Sequence, residues 1–306
     1  MTNSGDQPTD PIAEIRQAAT LLGIELSGST GSHAAGSAIS EPAKAEKLRL
    51  GGMALANGLL VHGPTHWAAA VRAPDGSIAV ASGRKWRLNL ADRVPGLRGI
   101  VRLGEAAAVT IRVKRALPQA RMPFQNRSAL GVAVLAAAAG SRLRRREHQT
   151  ALVELVGAVV SLAPAVAALR GGELASYHGV EHKAIAAYEQ DAPDAAQAAK
   201  EHDRCGSHLI TPMLACNLAG SALVRRLGPR APTWAPAAVS LASIGLAVEV
   251  FGWSERHAAS RPARLLRRPG HELQRVLGTR EPDEDQLDVG RAALREILRV
   301  EAAPAR

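Results

Sequence analysis

Residues 233–253 read TWAPAAVSLASIGLAVEVFGW, a run of 21 residues that carries one charge, Glu249, and a tryptophan near each end. A helix of about 20 apolar residues crosses the hydrocarbon core of a bilayer, and tryptophan is enriched at the two interfaces. The run therefore predicts a membrane-spanning helix. The mean hydropathy of the whole chain, −0.04, conceals it because apolar and charged residues lie in separate segments.

Three further apolar runs precede this one, at residues 128–140, 151–169 and 208–224. The second carries one charge, Glu154, and is interrupted by Pro164, whereas the first has only thirteen residues. We predict about four apolar membrane helices, with the runs at 128–140 and 208–224 as candidates for re-entrant segments. The alternative is that the same runs form the buried helices of a soluble α protein.

Positive charge is concentrated on either side of the apolar runs. The 306 residues have a formal charge of +10, and residues 84–127 hold eleven lysines and arginines against two acids. The region after the last run is again rich in arginine. Since cytoplasmic loops carry an excess of lysine and arginine, the N- and C-termini of a multi-pass protein are predicted to be cytoplasmic. Arginines at 142–146 and 225–230 oppose this orientation.

The remaining segments differ in composition, and Pro74-Asp75-Gly76 between two β-prone runs predicts a hairpin. The predicted segments are a disordered tail (1–43), a small β-rich module (44–90), a basic amphipathic linker (91–127), membrane helices with a loop at 171–207 (128–253), and a basic and acidic C-terminal region (254–306). The predicted fold is a mainly α integral membrane protein with an N-terminal β-rich module and a basic C-terminal helical tail. Two cysteines exclude a disulfide scaffold.

The loop between the second and third apolar runs holds a histidine pair. If residues 174–190 are helical, His178 and His182 lie one turn apart on one face and can share a metal ion. Glu181 lies beside them, where it could accept a proton from a metal-bound water. This H-x-x-E-H order is that of the inverted zinc proteases.

A second pair of candidate ligands follows within the same loop. His202 and Cys205 are separated by two residues, a spacing that lets both reach one ion from a turn. Glu249 in the last apolar run is a further candidate ligand, or a partner for an arginine such as Arg225 or Arg226. The predicted cofactor is zinc or a similar divalent ion.

Several motifs carry a resemblance to a known family. They are Gly51-Gly52-Met53-Ala54-Leu55-Ala56-Asn57-Gly58, His62-Gly63-Pro64, Tyr177-His178-Gly179-Val180-Glu181-His182-Lys183, Ala187-Tyr188-Glu189, His202-Asp203-Arg204-Cys205-Gly206, Pro269-Gly270-His271-Glu272-Leu273-Gln274 and Thr279-Arg280-Glu281-Pro282-Asp283. Kept in this order over roughly residues 48–300, they resemble the YqhQ-like bacterial membrane family, a family of unknown function described as predicted metal-dependent enzymes.

The resemblance implies a bacterial cell-membrane protein and a metal region. Its residues would be His178, Glu181, His182, His202 and Cys205, and Glu249 matches a glutamate of the family's last apolar segment. Three positions depart from the family pattern: Asn57 stands where glutamate is usual, His62 where arginine is usual, and Val248 where tyrosine is usual.

Two hypotheses for the function remain open at this stage. In the first, the protein is a membrane-associated metal-dependent hydrolase in which Glu181 is the general base and Tyr188 and Glu189 assist from outside the ligand set. In the second, four protein ligands close a structural zinc site in a membrane scaffold or regulator.

The high pI of about 10.5 favours anionic lipid as a partner. Nucleic acid is disfavoured because no aromatic residues interleave the basic ones and no nucleic-acid-binding motif is present. The substrate and the oligomeric state stay open.

Overall fold

The computed structural model describes residues 47–86, 96–123, 125, 127–144, 150–170, 172–228 and 231–303. The predicted tail at 1–43 lies outside the described residues. The strands are β1 (Gly51–Leu55), β2 (Gly58–His62), β3 (His66–Arg72) and β4 (Ile78–Arg84). The helices are α1 (Arg98–Ala116), α2 (Arg127–Arg144), α3 (Ala151–Ser161), α4 (Ala163–Arg170), α5 (Glu173–Gln190), α6 (Ile210–Leu227), α7 (Ala235–Arg256), α8 (Arg261–Leu273) and α9 (Glu284–Ala302).

The four strands form one antiparallel sheet in the order β1-β2-β3-β4. Strands β3 and β4 are joined at the predicted turn, where Gly76 has a φ of 84° that glycine adopts without strain. Side chains alternate between the two faces of the sheet. Leu59 and Val61 pack on one side with α5 and α9, and Leu60 and Val71 pack on the other with α1. The predicted small N-terminal β-rich module is confirmed as a sheet that is covered on both faces.

The C-terminal helix α9 is part of the protein core, so its prediction as a tail was wrong. Val289, Ala293 and Ile297 recur at four-residue spacing and are fully buried against α5 and the sheet. The start of α9 is fixed by a capping box between Asp283 and Gln286. The outer face of α9 carries many charged residues, so the composition of the segment does not indicate its narrow apolar stripe.

Among the residues that the structure describes, three helical segments are long and apolar enough to cross a membrane: Leu152–Arg170, Gly206–Leu227 and Ala235–Arg256. The shorter apolar helix covers Ala129–Leu143. Only 6%, 11% and 22% of the three segments, in order, is buried within the protein. Their apolar side chains therefore face outward, which disfavours the alternative that these are the buried helices of a soluble protein.

The first of these segments consists of α3 and α4, which are separated at Leu162. Helix α2 packs along both α3 and α4, and α6 packs along α7. The apolar helices are thus arranged as two hairpins. An ion pair between Glu154 of α3 and Arg225 of α6 joins them, which gives the charge in the second apolar run a partner.

Asn57 holds together three backbone groups at the turn between β1 and β2. Its amide nitrogen donates to the carbonyls of Arg72 and Gln119, at 2.8 and 3.1 Å, and its oxygen accepts from the Arg121 N–H at 2.8 Å. A carboxylate at this position could accept one of these hydrogen bonds but could not donate the other two. Asn57 therefore serves a structural role in this chain.

We expect Asn57→Ala to lower the free energy of unfolding by about 2–4 kcal/mol, because three backbone groups lose a partner in a buried position. The midpoint of thermal unfolding, followed by circular dichroism in detergent, checks this. Gln119→Ala removes a neighbouring amide that makes no side-chain hydrogen bond within the described residues, and it should leave the midpoint near that of the wild type. Equal midpoints for both variants would contradict the role of Asn57.

Candidate metal centre

Helix α5 carries the H-x-x-E-H motif, in agreement with the conditional prediction of a helix at 174–190. It begins after Gly172 and ends at Asp191, whose φ of 55° reverses the chain. His178 and His182 lie one turn apart, and the centroids of their rings are 4.4 Å from each other. Residues 174–187 of this helix are buried with few exceptions because α9, β1 and the segment at 195–198 cover it.

Cys205 approaches the histidine pair from the loop before α6. Its Sγ lies 3.4 Å from Nε2 of His178. Ligand atoms of His178, His182 and Cys205 all lie within 4.8 Å of one another, close enough to surround one ion. Two imidazole nitrogens and a thiolate form a donor set that suits zinc.

Hydrogen bonds to the backbone fix both histidines in the tautomer that a metal requires. Nδ1 of His178 lies 2.7 Å from the carbonyl of Gly278, and Nδ1 of His182 lies 2.6 Å from the carbonyl of Lys200. A carbonyl can only accept, so Nδ1 of each ring carries the proton and Nε2 presents a lone pair. Nε2 of His182 is buried without a hydrogen-bond partner among the described residues. This unpaired atom fits a metal ligand, since a buried polar atom is rarely left without a partner.

His202 is turned away from the other ligand atoms. Its Nδ1 accepts from the Arg204 N–H, and its Nε2 lies 3.2 Å from a carboxylate oxygen of Glu189. Both ring nitrogens are therefore engaged, although the ring lies 5.7 Å from that of His182. Glu189 also pairs with the guanidinium of Arg204. The structure thus brings His202 next to the three ligands but directs its ring towards Glu189.

Glu181 lies in the wall of a cavity of about 350 Å³ that also exposes His178, His182 and Cys205. Its side chain is 6% exposed, and burial raises the pKa of the carboxyl to about 7. Gly52 of β1 lies directly over it, because a Cβ atom at that position would stand 2.5 Å from the Glu181 carboxylate. The glycine of the N-terminal motif therefore provides the space in which Glu181 lies.

Glu249 is not among the clustered ligand atoms. Its carboxylate accepts from the Gly96 N–H at 3.1 Å and pairs with Arg98 at 3.5 Å. Glu249 thus has an arginine partner, as the alternative predicted, but this partner is Arg98, the first residue of α1. Arg225 pairs with Glu154 instead. An acid in an apolar helix is stabilised by such a contact near the end of the helix.

Tyr188 and Lys183 lie outside the cavity wall. The hydroxyl of Tyr188 accepts from the Leu48 N–H at 3.0 Å, which attaches α5 to the residues before β1. The Lys183 ammonium is buried and donates to the carbonyls of Ala196 and Ala198, at 3.0 and 2.8 Å. Both side chains therefore support the position of α5.

Sequence reasoning missed Gln274, which forms hydrogen bonds with the loop that carries His202, Ser207 and His208. Gln274, in the π-helical turn after α8, is fully buried and accepts from the His202 N–H at 2.8 Å. Its amide nitrogen donates to Ser207 Oγ at 2.8 Å and lies 3.2 Å from Nε2 of His208. A π-helical turn frequently marks a functional site. Gln274 belongs to the motif Pro269–Gln274, but the spacing of that motif does not predict a contact with His202.

His62 packs against Lys85, whose ammonium lies 3.2 Å from Nδ1 of the imidazole. Burial, together with the Lys85 ammonium, lowers the pKa of His62 to about 4. The unfolded chain, with a His62 pKa near 6.5, therefore binds a proton that the folded chain excludes between about pH 4 and 6.5. The contribution of neutral His62 to the free energy of unfolding should be fully present above pH 6.5 and should be lost as the pH falls to about 4.

Glutamine binds no proton in this range. We therefore expect His62→Gln to reduce the loss of free energy of unfolding at low pH by on the order of 3 kcal/mol. The test compares the midpoints of thermal unfolding of the two proteins at pH 7 and pH 4.5. The wild type should lose several degrees more than the variant. Parallel decreases would contradict the buried neutral state of His62.

Comparisons with known proteins cover the part of the chain that carries the site. Residues 172–300 match the model of a family described as a protein of unknown function (DUF1385). The chain is also similar to the uncharacterized protein YqhQ of Bacillus subtilis (strain 168), with 27% identity over 305 residues, 82% of this chain and 93% of the relative. The resemblance to the YqhQ-like family is confirmed. The matched region contains all the clustered residues of α5 and of the loop after it, and no solved structure matches the chain.

Proposed function

We propose that this YqhQ-like protein is a membrane-embedded metal-dependent hydrolase. The observation that carries the proposal is the convergence of two unprotonated Nε2 atoms and one thiol next to the Glu181 carboxylate, in the wall of a cavity. Three protein ligands are typical of catalytic zinc sites, which keep the fourth position for water or substrate. A closed site of four protein ligands is disfavoured because His202 uses both ring nitrogens elsewhere.

His178, His182 and Cys205 would hold the ion, and its chemistry when bound would be that of a Lewis acid that polarises water or a substrate oxygen. Glu181 accepts the proton that the attacking water loses and passes it to the leaving group. Gly278 and Lys200 keep the two imidazoles oriented through their carbonyls. Glu189 holds His202 and Arg204 in place at the rim of the site.

The packing of the described residues supports a multi-pass arrangement with the sheet, α5 and α9 on one side. The sheet, α5 and α9 share one core, so they lie in the same compartment. In the sequence, the hairpin of α2 with α3 and α4 lies between the sheet and α5. The hairpin of α6 and α7 lies between α5 and α9. Each hairpin must return the chain to its starting side, either by two crossings or by re-entry. We place this side in the cytoplasm, as the basic regions favour.

Glu181→Gln should keep the metal content and reduce hydrolysis by about 100-fold or more, because the amide cannot accept the proton. The measurement uses the full chain in detergent, loaded with zinc, and chromogenic esters, anilides and phosphate esters as substrates. Glu272→Gln, an exposed acid on α8, is the matched control and should hydrolyse the same compounds as fast as the wild type. Acetohydroxamate should bind the loaded protein and inhibit it, as expected for an open coordination position.

Two outcomes would contradict the proposed activity. One is a Glu181→Gln variant that hydrolyses the same compounds as fast as the wild type. The other is a zinc-loaded protein that binds no hydroxamate, which would indicate a closed structural site and a scaffold function instead.

A further inference from the structure

A second cavity, of about 470 Å³, lies beside the metal centre and is lined by basic residues. Four arginines and two acids contribute to its wall, namely Arg49, Arg204, Arg256, Arg267, Asp203 and Glu255. The lining groups thus carry two positive charges in excess. Such a cavity attracts an anion, and several guanidinium groups around one space are the donor set that proteins use for phosphate.

The arginines of this cavity are only partly satisfied by the acids. Arg49 forms two hydrogen bonds with Glu255, at 2.8 and 2.7 Å. Arg267 is 3.7 Å from Asp203, and its Nε is buried without a hydrogen-bond partner among the described residues. Its side chain is only 12% exposed, which makes an unpaired guanidinium nitrogen costly. Arg267 also donates from Nη2 to the carbonyl of Ala258 at 3.2 Å. Arg256 has no ion pair with any described residue, so Arg256 and the remaining guanidinium nitrogens of Arg267 retain donors for a ligand.

The position of the cavity places it at the level of lipid headgroups. The candidate span Ala235–Arg256 ends at the cavity, and the span Gly206–Leu227 begins two residues after Arg204. The cavity therefore lies at the open end of the α6–α7 hairpin, where two apolar helices leave the bilayer on the side of α5. Basic pockets between membrane helices at this level bind phosphorylated headgroups.

We propose that the arginine cavity is a binding site for the phosphate of an anionic phospholipid headgroup. Arg256 and Arg267 donate to the phosphate, and Arg49 and Arg204 contribute positive charge at its rim. A zwitterionic headgroup binds more weakly because its ammonium group meets the same excess of positive charge. Arg204 lines both cavities, so a lipid held here stands directly beside the metal centre. The lipid site rests on the proposed placement in the membrane and not on the hydrolase activity.

The test measures binding of short-chain lipids to the full chain in a neutral detergent by calorimetric titration. Phosphatidylglycerol should bind about 10-fold more tightly than phosphatidylcholine, and its affinity should fall as salt is added. Arg256→Gln should weaken phosphatidylglycerol binding about 10-fold, since it removes a charge-assisted donor without breaking an internal ion pair. Arg267→Gln should weaken it at least as much.

Arg268→Gln is the matched control, because Arg268 is the exposed neighbour of Arg267 on α8 and does not line the cavity. It should leave the affinity unchanged. The proposal is overturned if Arg268→Gln and Arg256→Gln weaken binding equally, or if phosphatidylcholine binds as tightly as phosphatidylglycerol. Inorganic phosphate that displaces the lipid at equal concentration would also overturn it, since the cavity would then be a site for a soluble anion.

Discussion

His182→Ala is expected to abolish stoichiometric metal binding, the largest effect of any single substitution in this chain. Nε2 of His182 is the one clustered ligand atom that is buried without a hydrogen-bond partner in the described part of the chain, and the side chain is 1% exposed. Removal of the imidazole leaves two ligands, and two ligands hold a divalent ion far more weakly than three. Elemental analysis of protein purified in detergent gives the metal content per chain.

Two controls separate loss of a ligand from loss of the fold. His271→Ala removes an exposed histidine of α8 and should keep the wild-type metal content. Cys205→Ser should lose the metal, whereas Cys216→Ser, on the apolar helix α6, should keep it. Far-ultraviolet circular dichroism should show native helix content in all four variants. Full metal content in His182→Ala with native helix content would contradict the assignment of this ligand.

Gly179→Ala is expected to have the second largest effect, by a steric route. A Cβ atom at Gly179 would lie 2.3 Å from the carbonyl oxygen of Arg280, a backbone atom that cannot move independently. The segment that contains Gly278 and Arg280 must therefore shift, and the Gly278 carbonyl orients His178. Overpacking of this kind lowers the free energy of unfolding by about 1–3 kcal/mol. Loss of an orienting partner lowers metal affinity by about 10- to 100-fold.

Zinc titration against a chelating dye, together with thermal unfolding, measures both consequences. Gly104→Ala is the control, because Gly104 is also a helical glycine but has open space where its Cβ atom would stand. That variant should keep its zinc affinity and be no less stable than the wild type, since alanine favours the helix. If Gly179→Ala behaved like the control, α5 would not pack on this segment as described.

Local pattern was sufficient to predict the elements that depend on neighbours in sequence. The hairpin at Pro74-Asp75-Gly76 follows from turn preferences, and the facing of His178 and His182 follows from helical periodicity. The apolar helices follow from segment length and hydropathy. In each case the determining interactions lie within about twenty residues.

Features that depend on distant contacts could not be predicted in this way. The orientation of His202 depends on the carboxylate of Glu189 and on Gln274, which is 72 residues away. The partner of Glu249 is Arg98, 151 residues away. A spacing of two residues shows that His202 and Cys205 can reach one ion, but the competing hydrogen bonds decide which of them faces it.

The predicted C-terminal tail is an instructive error for the same reason. Composition describes the exposed face of α9, which is charged, and says little about three buried positions at Val289, Ala293 and Ile297. Helical periodicity indicates that these three positions share one face of the helix. It does not identify the surface that packs against that face. The sheet and α5 lie more than 90 residues before α9 in the sequence.

We propose that His178, His182 and Cys205 hold one metal ion together. Substitution with cobalt(II) tests this directly, because a thiolate ligand gives a charge-transfer band in the near ultraviolet and tetrahedral ligation gives intense visible bands. We expect both features in the wild type and in Cys216→Ser, and loss of the charge-transfer band in Cys205→Ser. A wild-type protein that binds no cobalt, or whose spectrum shows no thiolate ligand, would contradict the claim.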